Sequence, residues 1–165
     1  MSDNKVRLSE ENRIVGVFGE SLVAFQLIKR GVHVLLVDTV FFDLIVKDGS
    51  GRTFSKEKNV GISVKFRDRR FTTPSCSVVV EDSSEIESFA EKWNVVPWFC
   101  LIICSVDKDG KDCLEGFLFS AQDAHRYMVD KGRKNAVSFS KLRKAKNDGV
   151  ITSHHYFCWS SVKTW

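Results

Sequence analysis

Apolar residues recur at helical spacing from about residue 9 to residue 30. Ile14, Phe18, Leu22 and Phe25 form one stripe, and Val17, Val23, Ala24 and Leu27 extend the apolar surface on a second side. Ser9 is placed to cap this element, Glu10 and Glu11 suit its positive end, and Lys29 and Arg30 suit its negative end. Gly31 is a natural stop. The spacing therefore predicts a helix from Ser9 to Arg30. Glu20 falls on its second apolar side, where a carboxylate is costly unless something pairs with it.

The period then changes from helical to alternating. VHVLLVDTVFFDLIV holds two β-branched and aromatic runs around Asp38-Thr39, which predicts a β-hairpin. The turn Asp48-Gly49-Ser50-Gly51 leads into VGISVKF, a third strand. In that strand Val60, Ile62, Val64 and Phe66 share one face, and Gly61, Ser63 and Lys65 share the other. Asp43 shares a face with Phe41 and Ile45. If the strands pair, Asp43 and Lys65 meet on one face, and the helix carrying Glu20 is placed to cover it.

Further along, VVVEDSSEIESFAEKW passes from strand to helix, with Asp82 or Ser83 as cap. PWFCLIICSV is a nearly unbroken apolar strand, expected to be buried on both faces. LEGFLFS reads as a short strand, Ala121 to Lys131 as a helix, and VITSHHYFCW as a terminal strand. This order of elements points to an α/β or α+β domain with a mixed central sheet, spanning 1–165 as one unit. Trp93, Trp98 and Phe99 are expected in its core.

Composition narrows the picture. The chain has 165 residues, 43% hydrophobic and 28% charged, an ordinary globular balance. No apolar run is long enough to span a bilayer, and the polar, acidic start MSDNKVRLSEENR does not read as a signal peptide, so a cytoplasmic location is the expectation. The five cysteines include no CxxC pair and read as reduced thiols, mostly buried. Net charge is +4 but uneven: residues 126–146 carry +7 and the remainder −3. Such asymmetry favours a polyanionic partner, nucleic acid foremost. Arg67, Arg69 and Arg70, with Lys131, Arg133, Lys134, Lys141, Arg143 and Lys144, are the candidate nucleic-acid contacts.

An acid on a helix, an acid on a strand and a lysine on the neighbouring strand have a shared chemical use. Clustered carboxylates hold a hard cation such as Mg²⁺. A nearby lysine stabilises developing charge on a phosphoryl group. The run GVFGESLVAFQLIKRGVHVLL, then FFDLIV, then GISVKFRDR, resembles the PD-(D/E)XK nuclease superfamily, in particular the archaeal Holliday junction resolvases and related restriction-endonuclease-like proteins. The resemblance covers about residues 12 to 105 and rests on the order and spacing of short motifs. It implies a restriction-endonuclease-like core: helix, three-stranded antiparallel meander, helix and further strand, with a mixed central sheet flanked by helices.

The resemblance also implies a function, an Mg²⁺- or Mn²⁺-dependent endonuclease hydrolysing phosphodiester bonds in DNA, with a homodimer as a further possibility. Glu20 matches the family's helix glutamate, Asp43 its metal-binding aspartate and Lys65 its catalytic lysine. Val64 matches the position whose backbone carbonyl helps hold the metal. One position departs from the pattern. The acid expected two residues before the lysine is Ser63, a poor ligand for Mg²⁺. Either another acid (Glu57, Asp68 or Glu81) replaces it, or Glu20 and Asp43 with the Val64 carbonyl suffice, or the domain has lost catalysis and kept binding.

Overall fold

The computed structural model describes residues 3–68, 77–79, 83–106, 112–130 and 135–160. Helix α1 (Asp3–Lys29) is followed by strands β1 (His33–Leu36), β2 (Leu44–Lys47) and β3 (Asn59–Asp68). Then come β4 (Ser77–Val79), α2 (Ser83–Trp93), β5 (Val95–Val106) and β6 (Asp112–Ser120). A short 3-10 helix (Ala124–Tyr127) precedes β7 (Met128–Asp130), β8 (Asn135–Ser138), α3 (Phe139–Asn147) and β9 (Tyr156–Ser160).

Six strands form one sheet in the order β1-β2-β3-β5-β6-β9. β1, β2 and β3 are an antiparallel meander, as their turn residues predict, with Leu36 opposite Leu44 and Leu44 opposite Ile62. β5 runs parallel to β3, with Lys65 opposite Leu101, and α2 lies in the connection between them. β4, β8 and β7 form a second, antiparallel sheet.

Side-chain alternation divides the core into two layers. On one face α1 packs Val23 and Leu27 against Leu44, Ile62, Cys100 and Ile102. On the other face, α2, α3 and the small sheet pack Ile86, Leu142 and Val137 against Phe99, Leu101, Ile103 and Phe117. The long apolar run of β5 is thus buried from both sides, as its composition predicts.

Several expectations are corrected. Helix α1 begins six residues before Ser9. Its burial falls on Val23, Ala24 and Leu27, whereas Ile14, Phe18 and Phe25 are 66%, 51% and 58% exposed. Gly19 helps to decide between the two apolar sides. It is buried on the inner side, and a Cβ there would stand 3.1 Å from Phe66 Cβ, so the missing side chain lets the helix settle closely on β3. The segment after Ala121 makes only one 3-10 turn before Met128 becomes extended and pairs with Val137. A helix not foreseen, α3, uses Phe139, Leu142 and Ala145 as its buried stripe. Trp93 is 47% exposed and so is no core residue, whereas Phe99 is fully buried and Trp98 half-buried. Of the described cysteines, Cys100 and Cys104 are buried, Cys113 is half-buried and Cys158 is exposed, all as free thiols.

Candidate active site at the parting of two strands

β2 and β3 stay paired only as far as Leu44 and Ile62. The chain before β2 then leaves β3 and forms the loop back to β1. Its last contact is the Asp43 N–H, which donates to the Ile62 carbonyl at 3.0 Å. At the next rung the Asp43 side chain replaces the departed strand. Its Oδ2 accepts the Val64 N–H at 2.6 Å. A backbone donor that would lose its partner is thereby satisfied by a carboxylate. Since Asp43 precedes Leu44, the register sets it beside Ser63, on the same face as Lys65.

A strand residue presents its N–H and C=O to the same neighbour. The Val64 N–H faces Asp43, so the Val64 carbonyl opens towards the same gap. Ser63 is 1% exposed, and Lys65 is half-buried.

Glu20 stands on α1, near enough to feel the charges of Asp43, Asp38 and Lys65. The helix does not cover the Lys65 face. It lies over the Ile62 face, the opposite one. Glu20 therefore comes from the side of the sheet opposite to Lys65. Its carboxyl is half-buried and its pKa is raised, chiefly by desolvation and then by the carboxylates of Asp43 and Asp38. The Lys65 ammonium acts in the opposite sense. Glu20 thus senses the charges of Asp43, Asp38 and Lys65, although they come from other parts of the chain.

Asp38 is an addition to the expected set. It is exposed in the loop between β1 and β2. In the sequence it reads only as a turn residue, because Asp and Thr in a hairpin connection are explained by turn chemistry. The observed loop is longer than a tight hairpin. Thr39 is held by Phe42, with its Oγ1 accepting the Phe42 N–H at 2.8 Å, and the loop stands beside Glu20.

Of the alternative acids, Glu57 is exposed in the turn before β3, and the side chains of Asp68 and Glu81 lie outside the described residues. Among the described residues no group of three or more His, Cys, Asp or Glu side chains gathers as a metal-binding cluster. The oxygens beside the gap are the Asp43 carboxylate and the Val64 carbonyl, and Glu20 is the further carboxylate that senses Asp43. This all-oxygen set suits Mg²⁺, which is commonly held by one or two carboxylates and keeps several waters.

The cations are distributed unevenly. Arg67 is exposed at the end of β3, with its Nη1 donating to the Phe66 carbonyl at 2.9 Å. Arg69, Arg70, Lys131, Arg133 and Lys134 lie outside the described residues. On α3, Lys141 and Lys144 are exposed, and Lys141 Nζ donates to the Met128 carbonyl at 2.5 Å. Arg143 is engaged by Glu115 on β6, with Nε donating to Oε2 at 2.8 Å. Arg67 and Glu115 both lie opposite Ile103, from its two sides. Arg67 and the Glu115 that holds Arg143 of α3 therefore share one level of the sheet, about 10 Å apart across two strand spacings, and Lys65 lies on the same face two residues back along β3.

No protein-family model matches the chain, and no curated protein matches it. Among solved structures, it resembles that of Hjc from Archaeoglobus fulgidus, a Holliday junction resolvase from an archaeal hyperthermophile. The TM-score is 0.50 at 16% sequence identity, over 81% of this chain and 95% of that chain. At that identity the likeness speaks for the fold. The chain has a restriction-endonuclease-like α/β fold, with a mixed central sheet flanked by helices. None of the described helices is long and apolar enough to cross a membrane.

Proposed function

We propose that this protein is a nuclease-like protein that hydrolyses phosphodiester bonds in DNA at the gap between β2 and β3. The observation that carries the proposal is geometric: where β2 leaves β3, the Asp43 carboxylate stands beside Ser63 on the Lys65 face and accepts the Val64 N–H at 2.6 Å. Glu20 and Asp43, with the Val64 carbonyl, would hold an Mg²⁺ or Mn²⁺ ion. Such an ion supplies Lewis acidity to the scissile phosphate.

The chain's own groups do the remainder. The raised pKa of Glu20 reflects desolvation first and then the charges of Asp43 and Asp38, a penalty on the ionised form that a bound cation would relieve. Asp43 is oriented by its backbone donor, so it enters the site pre-positioned. Lys65 lends positive charge where the phosphorane builds negative charge, and it is placed to hold the attacking water. Ser63 keeps the family position as a buried hydroxyl and takes no charge. Arg67, Lys141 and Lys144 grip flanking phosphates on the Lys65 face.

The experiment is cleavage of labelled linear, nicked and four-way junction DNA with Mg²⁺ or Mn²⁺. Asp43→Ala and Lys65→Ala are each expected to lower the rate by 100-fold or more, in line with loss of electrostatic stabilisation. Cleavage at the parent rate by both variants would end the proposal.

A second reading is favoured by one observation, the buried serine where an acid is expected. It is a DNA-binding module on the same fold without turnover. It predicts DNA affinity that falls steeply with salt and no cleavage with either metal. Turnover by highly purified parent protein, absent from Asp43→Ala prepared alongside, excludes it.

A further inference from the structure

An aromatic run leads from the residue before Asp43 out to solvent. Phe42 is fully buried, and its ring lies 5.7 Å from that of Phe89 on α2. Phe89 also meets Phe41 edge-on at 5.1 Å and stacks on Trp93 at 5.8 Å. Phe41 and Phe89 are half-buried, and Trp93 is exposed. The run lies on the Lys65 side of the sheet, because Phe42 shares its core layer with Leu101, the β5 neighbour of Lys65. A recess of about 380 Å³ opens here, lined by Phe41, Glu85, Ser88, Phe89 and Lys92.

Spacing accounts for its mixed chemistry. Glu85, Ser88, Phe89 and Lys92 stand at i, i+3, i+4 and i+7, which is one strip of α2. Ile86 and Ala90, one position round, are the residues that α2 buries in the core. Phe89 is left at the core's edge, beside an exposed carboxylate, hydroxyl and ammonium.

We propose that this recess takes one unpaired nucleobase of a nucleic-acid strand engaged at the gap between β2 and β3, a base that presents an exocyclic amine. The inference rests on the reading of that gap as a phosphodiester site. Each lining group has a counterpart in such a ligand. Phe41 and Phe89 offer ring surface against which a base stacks. The Glu85 carboxylate accepts from an exocyclic amine, as acids do from cytosine. The Ser88 hydroxyl donates and accepts. The Lys92 ammonium meets a phosphate beside the base. An aliphatic ligand would use none of these three polar groups. Size agrees, since small-molecule sites occupy roughly 300–1,000 Å³. Position agrees as well. Phe41 is two residues from Asp43, at most about 7 Å of chain. That is about two nucleotide steps of a stacked strand.

The test compares three duplexes by fluorescence anisotropy with the full chain, Ca²⁺ replacing Mg²⁺ so that nothing is cut. One duplex is continuous, one carries a single unpaired cytosine, and one a single unpaired thymine. The unpaired cytosine is expected to bind about tenfold tighter than the continuous duplex, the scale of one base–aromatic stack. The thymine is expected to fall between them. Ser88→Trp fills the recess from an exposed position and is expected to remove the preference while keeping affinity for the continuous duplex. Glu85→Gln, also at an exposed position, is expected to bring cytosine level with thymine. An unpaired 5-iodocytosine is expected to photo-cross-link to Phe41, Phe89 or Trp93. Equal affinity of the parent for all three duplexes overturns the proposal, and so does a preference that survives in Ser88→Trp. Either result leaves cleavage at the gap standing. Failure to bind any of the duplexes at low salt instead removes the reading of the gap, and the recess with it. Self-association of the parent that Ser88→Trp abolishes, without any base preference, gives the recess to a second copy and overturns the proposal too.

Discussion

β2 is four residues long and has an aspartate at each end, and the two are used in opposite ways. Asp48 is fully buried and saturated with donors. Its Oδ1 accepts from the Ser50 N–H at 2.8 Å, the Ser50 hydroxyl at 2.7 Å and the Gly51 N–H at 3.0 Å. Its Oδ2 accepts from the Thr53 N–H at 2.7 Å and the Phe54 N–H at 3.0 Å. These hydrogen bonds outweigh the cost of its burial and hold its pKa far below the usual carboxylate range. Asp43 is half-buried, takes one backbone donor from β3, and stands where it raises the pKa of Glu20. One aspartate has its charge stabilised locally by neutral donors and builds a loop. The other shares a confined gap with another acid and a lysine. A buried acid is thus not in itself a sign of chemistry. The sign is charge that the fold leaves in tension.

Removing the loop-building charge should have the largest effect. Asp48→Ala strands several backbone donors and is expected to cost about 3–5 kcal/mol in urea unfolding. A loss below 1 kcal/mol would erase the contrast between the two aspartates. The packing that supports the gap comes next. A Cβ on Gly61 would stand 2.9 Å from atoms of the Phe42 ring, one residue before Asp43. Gly61→Ala is expected to cost about 1–3 kcal/mol and to lower the cleavage rate by displacing the Asp43 loop.

The acid in tension should respond with the opposite sign. Glu20→Gln is expected to leave the protein as stable or to stabilise it by less than about 1 kcal/mol after solvent screening, while abolishing cleavage. Loss of both stability and activity would mean that Glu20 is structural. The pH dependence follows with opposite signs for the two groups. The pKa of Asp48 is depressed on folding, so its stabilisation is in place above the ordinary value of 3.8 and is lost as pH falls below it. The pKa of Glu20 is raised on folding, so its penalty sets in as pH rises past the ordinary value of 4.5. Parent and Glu20→Gln should therefore have equal stability below that pH and separate above it, a small effect to be read from unfolding curves across pH 3 to 8.

Much of this protein is legible in its residue order. The meander follows from alternation around Asp38-Thr39 and Asp48-Gly49, because strand period and turn chemistry are local properties. Gly31, with a φ of +79°, ends α1 where expected for the same reason. The buried run of β5 follows from composition, since only a strand covered on both faces has no polar side. Lys65 and Asp43 share a face because a period of two leaves no other arrangement once the register is set.

Other features depend on competition between distant parts of the chain. α1 carries two apolar faces, and local spacing cannot rank them. The inner face is the one on which Gly19 leaves room for Phe66, a contact spanning 47 positions. Glu20 lies on the side of the sheet opposite to Lys65 because α1 packs on the Ile62 face, and no local periodicity announces which face a helix will cover. Asp38, in the loop between β1 and β2, adds its charge to those that Glu20 senses. Arg143 looks like one more surface cation in a basic run until β6 brings Glu115 beside it. Short-range stereochemistry writes the elements into the order of residues. Which faces meet, and which charges are left in tension, emerges when the layers pack and water is excluded between them.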